Sequence, residues 1–288
     1  MGELVGNLVK YQVSELWRYP VKSMAGERLD VAEITTDGIA GDRRWAVRDL
    51  ETGKLVSAKQ PRPWGALLNW EASTALDGSI VVVAPDGHEY LAGDSELNAA
   101  LTFEFGGPLA MTAVELGREE TYASVWPEIP GTALSDMELD LPVAMGTPRA
   151  SFVDMAALHL VTAESIDHLA SLVAETVDGV MLDARRFRPS VVLRATVGEP
   201  SEGFADLDWT DVAATLGGAT IRISGPTPRC VMTTLGHHDL PRANAVLQTL
   251  AAHSQRDTGM GVFACLGTYA EVESSGMLHV GDRFVLGG

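Results

Sequence analysis

The feature that most limits the possible folds is a series of short apolar runs, separated by turn signals, in the first third of the chain. Between Gln12 and Ala92, the pairs Asp37-Gly38, Thr52-Gly53, Asp77-Gly78 and Asp86-Gly87 interrupt runs rich in valine, isoleucine and tryptophan. Pairs of this kind form the tight turns of β-hairpins, and the runs have the length of strands. The pattern predicts an all-β beginning, as in a barrel or sandwich.

The rest of the chain divides at a segment rich in proline and glycine. Residues 117–150 show no apolar period, which predicts a linker or long loop between a domain at residues 10–116 and a second at residues 151–288. In the second domain, strand-like runs alternate with two helical patterns, one capped by Thr162 and one from Ala243 to His253. The predicted fold class is therefore mainly β with α/β elements.

Charge limits the partners of the chain. The formal net charge of its 288 residues is −18, and residues 63–148 hold one basic residue against 14 acidic ones. Such a field repels nucleic acid and anionic lipid, so we expect neither as a partner. The acidic excess is either a solvated face that maintains solubility or a docking face for a basic protein.

The two cysteines are expected to be free thiols. The first eleven residues lack the pattern of a secretory signal, and no apolar run approaches the ~20 residues of a membrane span. These observations predict a cytoplasmic protein, where disulfides are rare. Cys230 follows two prolines and Arg229, and a cationic neighbour favours the thiolate, which binds soft metals. The alternative for Cys230 is a small buried hydrophobe, which is also the interpretation of Cys265.

Basic residues at turns indicate an anion site. Lys22-Ser23 follows Tyr19-Pro20, Arg43 follows a Gly-Asp pair, and Arg188 and Ser190 flank a proline. Arginine and lysine are the usual phosphate ligands in proteins, and serine adds a hydroxyl donor. The alternative is a set of ordinary surface charges with local ion pairs. Scattered acids such as Asp154 and Asp206 are interpreted as solvated or capping residues.

Four motifs in order resemble those of one family. Tyr19 to Ser23, Gly41 to Trp45, Phe187 to Ser190 and Arg229 to Thr234 are similar to the signature of the MOSC family, the molybdenum cofactor sulfurase carboxy-terminal domain proteins. The resemblance is to the long form of the family, which includes amidoxime-reducing enzymes. It implies an amino-terminal β-barrel domain and a barrel-like MOSC domain, with the molybdenum cofactor (molybdopterin) held between them.

The resemblance also implies roles for individual residues. Cys230 would be the catalytic residue and the thiolate ligand of molybdenum. The phosphate and pterin of the cofactor would be held by the residues at the matching motif positions. These residues are Lys22, Ser23, Arg43, Arg188, Ser190, Arg229 and Thr233.

The function implied by the resemblance is the molybdenum-dependent reduction of N-hydroxylated small molecules, such as amidoximes or hydroxylated nucleobases. Two cysteines cannot hold a four-cysteine iron–sulfur cluster, so electrons must come from a partner, a ferredoxin or a flavin reductase. Two alternatives remain open at this point. Cys230 could carry a persulfide in sulfur transfer, or the chain could bind the cofactor as a carrier without turnover.

Overall fold

The computed structural model describes residues 10–125, 138–146, 149–197 and 203–287. The strands are β1 Lys10–Arg18, β2 Glu27–Leu29, β3 Val31–Thr35, β4 Gly38–Ile39, β5 Trp45–Asp49, β6 Glu71–Thr74, β7 Ile80–Val83, β8 Glu89–Leu91, β9 Leu109–Ala113, β10 Thr121–Val125, β11 Glu138–Pro142, β12 Leu158–Thr162, β13 Val191–Val197, β14 Val212–Leu216, β15 Ala219–Pro228, β16 Gln255–Asp257, β17 Val262–Ser274, β18 Gly276–His279 and β19 Arg283–Leu286. The helices are α1 Pro61–Trp64, α2 Ser95–Phe105, α3 Ala163–Ala174 and α4 Asn244–His253. The predicted fold class, mainly β with α/β elements, is confirmed, and the described helices are few.

Seven strands close into a barrel. Their order is β12, β13, β1, β19, β14, β15 and β17, and the pairing of β17 with β12 completes the ring. The alternation of side chains along β15 shows why these strands have a buried inner face. Ala219, Ile221 and Ile223 are buried, whereas Thr220 and Arg222 between them are exposed. The apolar side chains that point inward form the largest buried cluster described.

One pair in this barrel is parallel and is connected through a helix. Strands β12 and β13 run in the same direction, and α3 between them covers the outside of the barrel. As predicted, Thr162 caps α3, and its side chain accepts a hydrogen bond from the backbone N–H of Ser165. Ile166, Leu169 and Val173 lie at helical spacing on one face of α3 and pack in a cluster that also contains residues of α4.

Part of the amino-terminal half has a core of its own. Strands β6, β7 and β8 form a small antiparallel sheet, and the predicted turns at Asp77-Gly78 and Asp86-Gly87 join them. Strand β5 pairs with β9, and α2 packs with both groups around Leu67, Val82 and Leu97. In contrast, β1 belongs to the seven-strand barrel, where it pairs with β13 and β19. The strands therefore cross the predicted boundary between residues 10–116 and residues 151–288.

The predicted linker contains packed structure. Strand β10 pairs with β11 in antiparallel fashion, which differs from the expectation of a loop without a buried face. Tyr122 of β10 is 1% exposed and packs with Leu55 and Phe152. The carboxylate of Glu120 accepts hydrogen bonds from both terminal nitrogens of Arg48 and anchors the base of this hairpin. Residues 126–137 and 147–148 of the same segment lie outside the described residues.

Within the described ranges, no helix combines the length and the apolar character needed to cross a membrane.

Candidate functional site

All eight residues that the sequence singles out line one cavity. The cavity has a volume of about 330 Å³ and receives side chains from both halves of the chain. The predicted residues in its lining are Lys22, Ser23, Arg43, Arg188, Ser190, Arg229, Cys230 and Thr233. Residues that are more than two hundred positions apart in the sequence therefore meet at a single site.

The thiol stands where a strand ends. Strand β15 ends at Pro228, and a 3₁₀ turn over Val231–Thr234 begins directly after Cys230. The backbone N–H and the hydroxyl of Thr233 both donate to the carbonyl oxygen of Cys230, at 3.2 and 3.0 Å. These bonds fix the turn on which a half-buried thiol faces the cavity. Cys265 is fully buried in the core, and burial raises the pKa of its thiol to about 11.

Arg229 is held by other parts of the cavity wall. Its Nε donates to the carbonyl oxygen of Leu266 at 2.9 Å, its Nη1 donates to that of Phe187 at 3.0 Å, and its Nη2 contacts the ring of His159. Burial, together with Arg229, keeps the pKa of His159 well below its usual range, so the imidazole is neutral. All three guanidinium nitrogens therefore bind protein groups, and Arg229 joins three segments of the wall.

A pair of lysines shares one carboxylate beside the thiol. Asp154 forms ion pairs with the Nζ of Lys22 and, at 3.0 Å, with the Nζ of Lys59. Burial would raise the pKa of Asp154, but the two ammonium groups outweigh it and hold that pKa well below its usual range. Burial lowers the pKa of Lys22 to about 8, although Asp154 opposes the change. The interpretation of Asp154 as a solvated or capping residue was therefore wrong.

Two tyrosine rings lie against cations of this wall. The Nζ atoms of Lys22 and Lys59 lie 4.3 and 5.3 Å from the ring centroid of Tyr122. Arg43 and Arg188 lie against the ring of Tyr19 in the same way, with Cζ at 5.0 and 4.1 Å from its centroid. An aromatic face attracts a cation through its quadrupole, so the rings stabilise charges that would otherwise repel each other. Four positive side chains are thus held close together in one wall.

The arginines of this wall differ in how fully they are paired. Arg43 forms an ion pair with Asp42, a buried residue whose other carboxylate oxygen accepts a hydrogen bond from the backbone N–H of Tyr19 at 2.7 Å. Arg188 donates from Nη1 to the carbonyl oxygen of Met24, whereas its buried Nη2 has no hydrogen-bond partner. Burial and the neighbouring Arg43 lower the pKa of Arg188 to about 10. A buried donor without a partner favours an acceptor from outside the chain.

The backbone is strained at three of the predicted residues. Ser23, Arg43 and Arg188 have φ angles of 67°, 48° and 52°, in the left-handed region that favours glycine. Only seven residues other than glycine adopt positive φ in the described chain, and three of them are these predicted residues of the cavity. Such conformations cost of order 1–3 kcal/mol each and cluster at functional sites. At these positions the left-handed backbone directs a polar side chain into the cavity, although glycine would adopt the same φ with less strain.

The two serines have structural bonds of their own. The hydroxyl oxygen of Ser23 accepts a hydrogen bond from the backbone N–H of Ala58 at 3.0 Å. The hydroxyl oxygen of Ser190 accepts from the backbone N–H of His159 at 3.2 Å and joins the parallel strands β12 and β13. A hydroxyl that accepts in this way can still donate its own proton. Both serines are therefore able to donate to an anion in the cavity.

The charge and the donor set of the cavity fit a phosphate-bearing ligand with a soft metal. In its described lining, six cationic side chains face a single acidic one, Asp154. The cations are Lys22, Arg43, Lys59, Arg186, Arg188 and Arg229. Thr227 adds a buried hydroxyl without a partner, and Cys230 supplies the thiol. Phosphate suits the cations and the free donors, and a thiolate is a ligand for soft metals.

The sequence missed three residues of this site: Lys59, Asp154 and Tyr122. Lys59 stands in Ser57-Ala58-Lys59-Gln60-Pro61, so it is also a base beside a proline-bounded turn, the signal that identified the other cations. Asp154 and Tyr122 have no comparable local signal. Their importance comes from pairing with lysines of distant segments.

The fold and the cavity agree with the families that the chain matches. Residues 10–105 match the MOSC N-terminal beta barrel domain, and residues 147–285 match the MOSC domain. A thiol on the MOSC half therefore faces a set of bases to which both halves contribute. The chain belongs to the MOSC-domain proteins that carry the N-terminal MOSC barrel domain.

Two kinds of curated relative cover most of this chain at low identity. Over 94% of its own length, this chain is 25% identical to the molybdenum cofactor sulfurase of Solanum lycopersicum, but it spans only 35% of the length of that protein. It is 24% identical to mitochondrial amidoxime reducing component 2 of Homo sapiens, over 94% of this chain and 82% of the relative. The solved structure of the YUAD protein from Bacillus subtilis aligns with a TM-score of 0.41 and 12% identity, over 96% of this chain and 95% of that one.

Proposed function

We propose that this chain binds the molybdenum cofactor in the cavity, with the Cys230 thiolate as ligand of molybdenum, and reduces N-hydroxylated small molecules there. The observation that carries the proposal is the meeting of one accessible thiol and a buried, partly unpaired cluster of cations in a single cavity. When bound, the cofactor supplies two-electron redox chemistry at molybdenum. The names of the relatives in both groups support this class of function.

In this proposal the side chains of the cavity bind and orient the cofactor. Lys22, Arg43 and Arg188 hold the phosphate, and the unpaired Nη2 of Arg188 gains an acceptor. The hydroxyls of Ser23 and Ser190 add donors. Asp154 keeps the two lysine ammonium groups in place, so the positive wall exists before the ligand arrives. Such preorganisation lowers the free energy of ordering side chains on binding.

Arg229 and Thr233 are positioning residues in this scheme. Arg229 fixes the carbonyl groups of Leu266 and Phe187, and Thr233 fixes the carbonyl group of Cys230. Together they hold the segment that carries the thiol against β17 and against the turn at Phe187. We therefore expect both to affect how well the metal is retained rather than to contact the substrate.

The proposed reaction consumes two electrons and two protons for each substrate. The N–O bond breaks, one proton adds to the nitrogen, and the hydroxyl group takes up the other and leaves as water. Because the reduction needs an electron source, we propose a ferredoxin or a flavin reductase as the donor protein, with both partners in the cytoplasm.

Molybdenum content tests the proposal directly. The full chain is produced in cells that make the cofactor, and the molybdenum per chain is measured for the native protein, Cys230→Ser and Cys265→Ser. We expect close to one molybdenum per chain in the native protein and in Cys265→Ser, but almost none in Cys230→Ser. Benzamidoxime reduction with a strong chemical reductant should follow the same order. Full molybdenum content and turnover in Cys230→Ser would show that the assignment of the ligand is wrong.

The same samples distinguish the other two functions. A sulfurtransferase would carry one additional sulfur atom on Cys230 in the intact mass, without bound metal. A carrier would hold the cofactor firmly but would not reduce benzamidoxime with any donor. Either result would replace the reductase in this proposal, and a persulfide would also exclude Cys230 as the resting metal ligand.

A further inference from the structure

The cavity has a charged interior and an apolar mouth. Lys22 and Thr227, in the interior, are 4% and 2% exposed. At the mouth, Leu139, Met145 and Met260 are 49%, 47% and 45% exposed, although they line the same cavity. Proteins usually place charges in water and apolar side chains inside. The reversed arrangement is unfavourable at both ends unless ligands cover it.

The apolar part of the lining is rich in methionine. Met145, Met155, Met232 and Met260 contribute four flexible thioether side chains, and Leu141 and Phe263 lie among them. Methionine is unbranched and polarizable, so it adapts to apolar shapes that vary from one ligand to another. These side chains offer no charge and no strong hydrogen-bond donor. They are therefore unsuited to the phosphate or the polar pterin of the proposed cofactor.

The two regions suit two different ligands. The cations and the unpaired donor of Arg188 suit the anionic cofactor, and they lie in the buried part of the cavity. The apolar mouth is left for whatever enters after the cofactor is in place. The volume of the whole cavity, about 330 Å³, is that of a small-molecule site. The remaining ligand is then a small molecule with an apolar body.

We propose that the methionine-rich mouth binds the apolar body of the substrate, so that the preferred substrates carry their N-hydroxyl group on an uncharged aromatic or aliphatic frame. This inference rests on the proposed function, because it takes the cavity as the place of reaction. Anionic N-hydroxylated compounds, such as nucleotides, are excluded. The apolar side chains at the mouth give their phosphate neither an ion pair nor a strong hydrogen-bond donor.

The experiment compares substrates that share the reacting group. Benzamidoxime and acetamidoxime differ only in a phenyl or a methyl group, and hydroxylated cytosine is compared with its nucleoside monophosphate. The variants are Met260→Gln and Leu139→Gln at the mouth. The matched control is Met277→Gln, which changes a methionine 48% exposed on β18 that is outside the cavity lining. Affinity is measured by ligand-observed NMR titration of the full chain, and KM and kcat are measured on molybdenum-loaded protein with a chemical reductant.

We expect benzamidoxime to bind on the order of tenfold more tightly than acetamidoxime, because the phenyl ring buries more apolar area at the mouth. Met260→Gln and Leu139→Gln should raise both the Kd and the KM for benzamidoxime several-fold, at constant kcat and with acetamidoxime unaffected. Met277→Gln should change neither substrate. The nucleotide should be a much poorer substrate than the free base.

Two results would overturn the inference. One is equal binding of the two amidoximes, or an equal loss for both in the mouth variants. The other is a change in rate that appears only when a protein electron donor replaces the chemical reductant, because this would make the mouth a protein-docking surface. The NMR titration remains decisive if the chain retains no molybdenum, since the mouth consists of protein side chains alone. Failure of the proposed function is thereby separated from failure of this inference.

Discussion

The buried ammonium group of Lys22 gives the protein an unusual dependence of stability on pH. Lys22 is 4% exposed, and burial lowers its pKa from 10.5 to about 8. In the window between these two values the unfolded chain binds a proton that the folded chain has released. Stability contributed through Lys22 therefore rises with pH across this window. At pH 10 the gain relative to pH 7 is about 2.5 kcal/mol, because a tenfold change in a proton-binding constant corresponds to ~1.4 kcal/mol.

Urea unfolding of the native protein and of Lys22→Met at pH 7, 8, 9 and 10 measures this gain. Other groups that titrate in the same range, including the Cys265 thiol with its raised pKa, are common to both proteins. Those that do not interact with Lys22 cancel in the difference between the two unfolding free energies. We expect that difference to move in favour of the native protein by about 1.4 kcal/mol at pH 9 and about 2.5 kcal/mol at pH 10.

The control for this measurement is Lys54→Met, which removes a lysine from an exposed ion pair with Asp140. It reports how much of the slope comes from the loss of positive charge in general. A difference between native protein and Lys22→Met that stays constant, or that falls as pH rises, would refute the reasoning. In protein loaded with a phosphate-bearing ligand the window should close, because a dianion beside Lys22 raises the pKa of the ammonium group again.

Three further perturbations test the packing around the site by urea unfolding. Asp154→Asn leaves two ammonium groups without a carboxylate and should lower the free energy of unfolding by about 3 kcal/mol at pH 7. This loss should become smaller below about pH 4, because the stability that the native protein gains through the lowered pKa of Asp154 is itself lost as pH falls. Gly267→Ala places a Cβ 2.4 Å from the carbonyl oxygen of Leu160 at a φ of +74°, so it should lower the free energy of unfolding by more than about 2 kcal/mol. Its control is Gly53→Ala, which has the same φ in open space and should lower the free energy of unfolding by less. Tyr122→Ala should cost about 3 kcal/mol and Tyr122→Phe much less; equal, small effects would contradict the packing of the β10–β11 hairpin.

The parts of the fold that depend on residues adjacent in the sequence could be predicted from the sequence. The turns at Asp77-Gly78 and Asp86-Gly87 are examples, since a side-chain oxygen and a glycine next to it determine the turn locally. Pairing over long distances could not be predicted in this way. Strand β1 pairs with β13, more than 170 residues further along, and no local pattern identifies that partner. The strand pattern therefore left a barrel and a sandwich open, and it was the family resemblance that favoured the barrel.

The hairpin of β10 and β11 shows why strands within the predicted linker or long loop of residues 117–150 could not be recognised from the sequence. Strand β10 shows no alternation of apolar and polar residues, β11 alternates over only five residues, and Tyr122 is buried because distant groups cover it. Its neighbours are Leu55, Phe152 and the ammonium groups of Lys22 and Lys59. A polar aromatic residue that packs under cations has no periodic signature, so composition alone indicated a loop.

The residues of the site could be predicted from the sequence more completely than the fold, because the chemistry of the site requires particular residue types. An acidic chain rarely places a cysteine at a proline-bounded turn and bases at other turns. The predicted cysteine and bases all lie in the lining of the cavity. Lys59 and Asp154 were missed because their roles are pairwise. A carboxylate becomes a bridge between two lysines only after three segments have folded together. Such a role is a property of the tertiary structure. A single sequence does not show it, because covariation needs an alignment of many relatives.

The cavity gathers several unfavourable features, and the apolar core of the barrel offsets them. Left-handed backbone at Ser23, Arg43 and Arg188, adjacent buried cations and unpaired donors all lower stability. The main apolar core of the barrel lies in a separate cluster that contains none of these residues. The stability of the fold and the strain of the site therefore come from different sets of residues. Glycine at Arg43 or Arg188 would relieve the backbone but would remove a cation, so arginine at these strained positions fits the proposed binding of an anion better than a role in folding.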